Sequence, residues 1–396
     1  MRNKILPGMA EATRLTRAGR LGEALTVIQR VVRGEDSPAP SPTQPGSPPA
    51  PLRPVRQIAK PQVVEPPPAA SPGARPAPAA GLADGLPGLP EGLRDLVREI
   101  GRRVGPLVGE PATPASTEPG QFLDRHFAAA AGQRAYKLYV PRGYRGQAVP
   151  LVVMLHGCTQ NPDDFAAGTG MNRIAEAETF LVAYPAQTAA ANHARCWNWF
   201  STADQRRDRG EAAIIAGIAR AVMEEFSIDS RRVYVAGLSA GGAAAANLAA
   251  AYPDLFAAVG IHSGLCAGAA SDLPSALRAM REGAKGAVPV GDALPTIVFH
   301  GDQDSTVHPR NGAAIIAATG ATLLRDESGT SPNGRAWRRS ILADERGRPR
   351  FEHWVIQGSG HAWSGGDAAG SYTDPLGPDA SREMWRFFRE HPRPRR

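Results

Sequence analysis

The chain has 396 residues, 42% of them hydrophobic, which suffices for one large domain or two ordinary ones without covalent cross-links. Its three cysteines are too few for a disulfide framework and match no zinc-binding spacing, which excludes a disulfide-stapled fold and a zinc module. The formal net charge of +7 comes from scattered arginines rather than a dense basic run, so no nucleic-acid partner is expected.

The first third of the chain predicts no globular domain. Leucine and alanine recur at helical spacing in residues 1–34, which predicts a helical N-terminal segment. The stretch at 18–25 resembles the turn of a single tetratricopeptide hairpin, and the partner of this segment is unknown. Residues 35–120 are rich in proline and alanine and predict a largely disordered linker with a short helix near 91–104. No apolar signal core or membrane span is present, so the sequence alone predicts a cytoplasmic protein.

Residues 121–396 alternate between strand and helix patterns, which predicts an α/β fold with a mainly parallel central sheet flanked by helices. Strands are expected at 135–140, 151–155, 180–184, 233–236, 258–261 and 296–299, and a strand hairpin at 336–342 and 351–357. Helices are expected near 172–178, 211–226, 243–251 and 381–390, the last capped by Ser381 or Asp379.

A glycine-flanked serine, Ser239, lies between the strand at 233–236 and an alanine-rich helix, in the pattern G-x-S-x-G. A serine at such a tight strand-to-helix turn takes a strained backbone, and its neighbours must be small because larger side chains would collide with the strand and the helix. The bare pattern is weak evidence in a chain with 43 glycines, but its context makes Ser239 the candidate nucleophile.

A serine hydroxyl needs an imidazole to take its proton and a carboxylate to orient that imidazole. In α/β-hydrolases these follow the serine in the order acid, histidine, each on a loop after a strand. Asp304 has the glycine and valine spacing of such an acid turn, whereas Asp302 is expected to brace the turn. His361, among glycines past a strand, is the candidate base, with His308 as its rival.

The oxyanion of the tetrahedral intermediate requires two backbone N–H donors, each worth on the order of 3 kcal/mol. One is expected from Ala240, directly after the nucleophile, and the other from Cys158 or Thr159 in the loop at 155–160. His156 in the same loop is expected to pack beneath the site. His262 and His300 end strands and are expected to be structural.

Four motifs in one order carry a family resemblance: LHGCTQ at 155–160, CWNWF at 196–200, GLSAGG at 237–242 and GHAWSGG at 360–366. Together they resemble the poly(3-hydroxybutyrate) depolymerase family of esterases, which also includes feruloyl and acetylxylan esterases. The resemblance covers about residues 121–391 and implies an α/β-hydrolase fold. It also implies a triad of Ser239, Asp304 and His361 and ester hydrolysis through an acyl-enzyme, without metal or cofactor.

The expected substrate is poly(3-hydroxybutyrate) or a related hydroxyalkanoate polyester or oligomer. Feruloyl or acetylxylan esters are the alternative with the same mechanism. A third hypothesis is that the hydrolase domain is inert and the chain is an interaction protein. Loss of ester turnover on replacing Ser239 would exclude this hypothesis.

The resemblance also suggests two structural details. Trp197, Trp199 and Trp363 are candidates to line an apolar crevice for a polyester strand or aromatic acyl group, with core packing as the alternative for the first two. Cys158 and Cys196 are hypothesised to form a disulfide between the loop at 155–160 and the tryptophan segment. A reducing cytoplasm opposes this bridge, whereas secreted members of the family favour it, so the compartment stays open.

Overall fold

The computed structural model describes residues 120–284 and 294–395. The expected helical segment 1–34 and nearly all of the expected linker 35–120, with its helix near 91–104, lie outside the described residues. Among the helices that are described, none is long and apolar enough to cross a bilayer.

A ten-stranded sheet organises the described chain. Its strands are β1 Gln121–Ala129, β2 Gly132–Val140, β3 Val149–Leu155, β4 Leu181–Pro185, β5 Ile228–Leu238, β6 Ala258–His262, β7 Thr296–Gly301, β8 Thr322–Thr330, β9 Ala336–Ala343 and β10 Pro349–Ile356. Their spatial order is β1-β2-β4-β3-β5-β6-β7-β10-β9-β8. The six strands from β4 to β10 in this order are parallel, and the two strands at each edge are antiparallel.

Helices cover both faces of this sheet, as the α/β prediction requires. They are α1 Pro162–Thr169, α2 Met171–Glu178, α3 Gly210–Glu225, α4 Ala240–Ala251, α5 Leu273–Glu282, α6 Arg310–Ala317 and α7 Ala380–Glu390. A separate parallel pair, β11 Trp363–Ser364 and β12 Thr373–Asp374, lies between β10 and α7 in the chain.

Strand β3 explains why the core has two layers. All seven of its residues are buried, and successive side chains point to opposite faces of a strand. Leu151 and Val153 therefore join the cluster that includes α3 and α4, whereas Val152 and Met154 join the cluster that includes α1, α2 and α7. A fully apolar strand is the expected signature of a central strand covered on both faces.

The strands and helices predicted for residues 121–396 are all present, and the mainly parallel α/β sheet is confirmed. The antiparallel partner of β10 is β9, as the predicted hairpin requires. Helix α7 begins after Asp379, whose carboxylate accepts the Arg382 N–H at 2.9 Å, so Asp379 rather than Ser381 is the cap. Strands β1 and β8 and helices α1, α5 and α6 were not predicted; β1 and β8 are edge strands with largely exposed side chains, so their apolar pattern is weak.

Candidate active site

Ser239 lies between β5 and α4 with φ 57° and ψ −119°, a left-handed backbone that a serine rarely adopts. Its two flanking glycines are required by close backbone approach. A Cβ on Gly241 would lie 2.1 Å from the carbonyl oxygen of Leu155, and one on Gly237 would lie 2.4 Å from the carbonyl carbon of Gly241. The strained turn is therefore held by β3 on one side and by α4 on the other.

The loop after β7 presents Asp304 to His361. The Nδ1–H of His361 donates to Asp304 Oδ2 at 2.7 Å, while Oδ1 of the same carboxylate accepts the N–H groups of Thr306 at 2.9 Å and Val307 at 2.8 Å. Burial opposes ionisation of this carboxyl, but hydrogen bonds from His300 and His361 hold its pKa below the usual aspartate range. Asp304 is therefore a buried carboxylate whose charge is directed at the histidine.

The three candidate triad residues follow three strands at the same edge of the sheet. Ser239 follows β5, Asp304 follows β7 and His361 follows β10, and the neighbouring strands β5, β6, β7 and β10 are parallel. The carboxyl ends of parallel strands meet at one edge, where α/β proteins place their sites. In the part of the chain that the structure describes, Ser239 Oγ makes no hydrogen bond, whether to His361 or to another residue.

His262 links the serine turn to the loop that carries His361. Its carbonyl oxygen accepts the Ser239 N–H at 2.9 Å, and its Nε2 accepts the N–H of Ser364 at 2.9 Å. Complete burial lowers the pKa of His262 to about 3, which keeps the ring neutral so that Nε2 can accept. The expectation that this histidine is structural agrees with these contacts.

The expected oxyanion donors differ in whether their N–H groups are free. Ala240 is the first residue of α4, where a helix leaves its N–H groups without intrahelical partners. The Thr159 N–H donates to the Ala194 carbonyl oxygen at 2.6 Å, whereas the Cys158 N–H has no acceptor among the described residues. Of the two alternatives, Cys158 is therefore the one with a donor available.

Cys158 and Cys196 are joined by a disulfide with an S–S distance of 2.04 Å and a Cα–Cα distance of 4.2 Å. The bridge connects the loop at 155–160, which we call the oxyanion loop, to the segment that carries Trp197. Cys266 is a free, buried cysteine.

The remaining polar candidates have structural contacts. Asp302 accepts the N–H of Gly358 at 2.7 Å and so braces the loop, as expected. His308 Nδ1 accepts the Arg310 N–H at 3.1 Å, and no hydrogen bond or ion pair joins His308 to Asp304. His156, within the oxyanion loop, is buried with its Nε2 accepting the Gln187 N–H at 3.1 Å, and burial lowers its pKa to about 4.

The three candidate crevice tryptophans are buried, which agrees with the core-packing alternative for Trp197 and Trp199 and leaves Trp363 without the exposed face that substrate contact requires. Trp197 and Trp363 are 0% and 1% exposed, and Trp199 is 6% exposed. Trp197 donates its indole N–H to the His156 carbonyl oxygen at 3.1 Å, and Trp363 donates to Ser381 Oγ at 3.0 Å. Proximity to His361 in the sequence suggested substrate contact for Trp363, but β11 directs its ring into the core against Phe165 and His262.

Two sets of contacts around the site were not predicted, although His300 was expected to be structural. His300 Nε2 lies 3.4 Å from Asp304 Oδ2 and 2.8 Å from the Val307 carbonyl oxygen, so it helps to hold the acid turn. Gln160 accepts the Gly157 N–H at 2.9 Å and donates to the Ser371 carbonyl oxygen at 3.1 Å, which ties the oxyanion loop to the segment after His361. The position of His300 four residues before the acid was a usable signal, whereas Gln160 and Ser371 are too far apart in sequence to be paired.

The structure offers no candidate metal centre in residues 120–284 and 294–395, since no three histidine, cysteine, aspartate or glutamate side chains there are grouped to hold an ion.

Comparison with known proteins finds similarity to esterases. The family model described as Esterase PHB depolymerase matches residues 134–325. The chain is 32% identical over 250 residues to poly(3-hydroxyalkanoate) depolymerase C of Paucimonas lemoignei, covering 60% of each chain. It is 27% identical to feruloyl esterase B of Thermothelomyces thermophilus, covering 54% of this chain and 78% of the relative.

Among solved structures, an acetyl xylan esterase from Aspergillus awamori superposes with a TM-score of 0.52 at 20% identity, covering 64% of this chain and 93% of that one. This likeness supports the α/β-hydrolase fold. The chain covers less than two thirds of the Paucimonas lemoignei depolymerase.

Proposed function

The chain carries a domain of the Esterase PHB depolymerase family, and from this premise we propose that it is a serine carboxylic-ester hydrolase with Ser239, His361 and Asp304 as its triad. The single observation that carries the proposal is the 2.7 Å hydrogen bond from His361 Nδ1–H to the buried carboxylate of Asp304, at the sheet edge where Ser239 adopts its strained turn. A histidine with its Nδ1 proton held in this way has Nε2 free to accept a proton.

In the acylation step, Ser239 Oγ attacks the ester carbonyl carbon while His361 Nε2 takes the hydroxyl proton. The carbonyl π pair moves to oxygen, and the resulting oxyanion accepts the N–H groups of Ala240 and Cys158. Collapse of this intermediate breaks the bond to the alcohol, which leaves with the proton from His361. The acyl group is then esterified to Ser239.

In the deacylation step, a water molecule replaces the alcohol. His361 takes one proton from the water while the water oxygen attacks the acyl carbon. The N–H groups of Ala240 and Cys158 donate to the second oxyanion. The ester bond to Ser239 breaks, Oγ regains its proton from the imidazolium, and the carboxylic acid departs. The fixed Asp304 carboxylate stabilises the imidazolium in both steps.

As substrate, we propose poly(3-hydroxybutyrate) or related hydroxyalkanoate polyesters and their oligomers. The support is the family model and the 32% identity to the depolymerase of Paucimonas lemoignei. Feruloyl or acetylxylan esters are the second candidate, favoured by the match over 78% of the Thermothelomyces thermophilus feruloyl esterase.

The test compares the release of 3-hydroxybutyrate from polymer granules and from trimers with the release of ferulate from methyl ferulate and of acetate from acetylated xylan. Hydroxybutyrate release at least about tenfold faster in kcat/KM than ferulate or acetate release supports the polyester assignment, and the reverse order assigns the second candidate. A Ser239→Ala variant should lose essentially all turnover of the preferred ester. Unchanged turnover in that variant would disprove the triad, and no turnover of any of these esters by the unmodified chain would refute the esterase proposal.

A further inference from the structure

Tyr372 lies between the two loops that complete the candidate site. Its hydroxyl donates to Thr159 Oγ1 at 3.2 Å, and Thr159 Oγ1 donates in turn to the Cys158 carbonyl oxygen at 2.6 Å. Its own carbonyl oxygen accepts the N–H of Trp363 at 2.7 Å, two residues after His361. The side chain therefore touches the oxyanion loop, while its backbone is paired to the segment that follows the base.

The backbone at this position is fixed and strained. Tyr372 has φ 53°, in the left-handed region that a bulky residue seldom adopts. The preceding Ser371 donates its N–H to Asp164 Oδ1 at 2.8 Å and its hydroxyl to Asp164 Oδ2 at 2.6 Å. Gly370 packs so closely on α1 that an added Cβ would lie 2.4 Å from Gly168 Cα. These contacts hold the loop in place, and strain maintained in this way is characteristic of functional positions.

Tyr372 is nevertheless 46% exposed. Three other large apolar side chains in the described chain are comparably exposed, but Leu323 and Leu324 are on the edge strand β8, and Leu376 adjoins Ser331 through its carbonyl oxygen. The tryptophans expected to meet substrate are buried. Tyr372 is thus the exposed aromatic ring held against the oxyanion loop.

We infer that Tyr372 is a specificity-determining residue whose ring contacts the apolar part of the ester bound at Ser239. This inference rests on the proposed esterase function. An aromatic ring with an apolar face and a hydrogen-bonded hydroxyl suits an ester that carries a hydrocarbon or aryl group. Removing the ring then weakens binding of esters with such a group and leaves the smallest esters unaffected, since those do not reach it.

The experiment measures kcat and KM for p-nitrophenyl butyrate and for methyl acetate in the full chain. The main variant is Tyr372→Asn, because asparagine tolerates a left-handed backbone and removes the ring without adding strain. The expected result is a fall of about tenfold in kcat/KM for p-nitrophenyl butyrate, mostly through KM, with methyl acetate changed by less than about twofold.

Two further variants separate the ring from the hydroxyl and from general surface effects. Tyr372→Phe keeps the ring and should keep the ratio between the two esters within about twofold of the unmodified protein. Leu376→Ala removes a side chain of similar exposure, 47%, and should change neither ester. Equal losses for both esters in Tyr372→Asn, or equal behaviour of the asparagine and phenylalanine variants, would overturn the inference.

The role of Tyr372 and the esterase activity can be refuted separately. Turnover by the unmodified protein with an unaltered ester ratio in Tyr372→Asn overturns the role of Tyr372 alone. Absence of turnover of either ester by the unmodified protein overturns the esterase proposal, and the inference about Tyr372 with it.

Discussion

Replacing Asp304 with asparagine should abolish most catalysis while leaving the fold in place. Asp304 Oδ1 accepts two backbone N–H groups, from Thr306 at 2.9 Å and Val307 at 2.8 Å. These two donors require an oxygen, so the asparagine amide must orient its Nδ2 toward His361. An N–H group there can only donate to Nδ1, which forces the imidazole proton onto Nε2 and removes the base that Ser239 needs.

The size of the loss follows from the geometry. The wrong tautomer leaves binding and the oxyanion donors intact, so the expected decrease in kcat is about 10³ to 10⁴, as found for the equivalent change in serine proteases. At about 1.36 kcal/mol for each tenfold change in rate, this corresponds to about 4 to 5.5 kcal/mol of transition-state stabilisation. KM should change by less than about threefold, because the acid does not contact the substrate.

The assay is p-nitrophenyl butyrate hydrolysis with kcat and KM determined separately, together with thermal unfolding to establish that the variant is folded. Asp302→Asn is the matched control: it lies two residues away, its oxygen can still accept the Gly358 N–H, and its kcat should stay within about threefold. A kcat above about a tenth of the unmodified value in Asp304→Asn, or an equal loss in Asp302→Asn, would refute the assignment of the acid.

Three further changes test the architecture around the site. Cys196→Ser removes a disulfide whose cysteines are 38 residues apart, and urea titration should show a loss of about 4 kcal/mol in the free energy of unfolding through chain entropy. The control Cys266→Ala changes a free cysteine and should alter this free energy by less than about 2 kcal/mol. Equal losses in the two variants would contradict a stabilising bridge. Gly241→Ala places a carbon 2.1 Å from a β3 carbonyl oxygen, so it should lower the melting temperature by roughly 5 °C or more and abolish turnover. In the control Gly360→Ala no atom lies within 4 Å of the added carbon, so its melting temperature should be that of the unmodified protein. Burial opposes ionisation of Glu352, but two arginines hold its pKa below the ordinary 4.5, so its stabilisation is present above about pH 4.5 and is lost as the pH falls through the lowered value. Glu352→Gln should cost about 3 kcal/mol at pH 7 by denaturant titration, and this cost should shrink as the pH falls below 4.5; a pH-independent loss would contradict this account.

Much of the fold could be predicted because its central strands are buried on both faces. The run at 151–155 is apolar at every position, and such a run in an alternating strand and helix pattern predicts a central parallel strand. Strand β1 could not be predicted in the same way, since its side chains are mostly exposed and its register is set by pairing with β2.

The site was partly predictable for a similar reason. The order of Ser239, Asp304 and His361 places each after a strand, and parallel strands bring their carboxyl ends to one edge. The choice between Cys158 and Thr159 was not accessible, because it depends on whether Ala194, far along the chain, accepts the Thr159 N–H. The direction of the Trp363 ring was equally inaccessible, because a two-residue strand turns it away from the site into the core.

The sequence by itself determined the residue types and their order: a small-residue turn at Ser239, an acid and a histidine on later loops, and strands apolar enough to form a buried parallel sheet. These are local properties, set by steric limits at the turn and by hydrophobic periodicity. Only the tertiary structure decided which N–H groups are free, which rings are exposed and that Tyr372 meets Thr159, since each depends on contacts between residues up to 213 positions apart. Such contacts arise when the sheet closes and its loops meet, and no spacing along the chain encodes them.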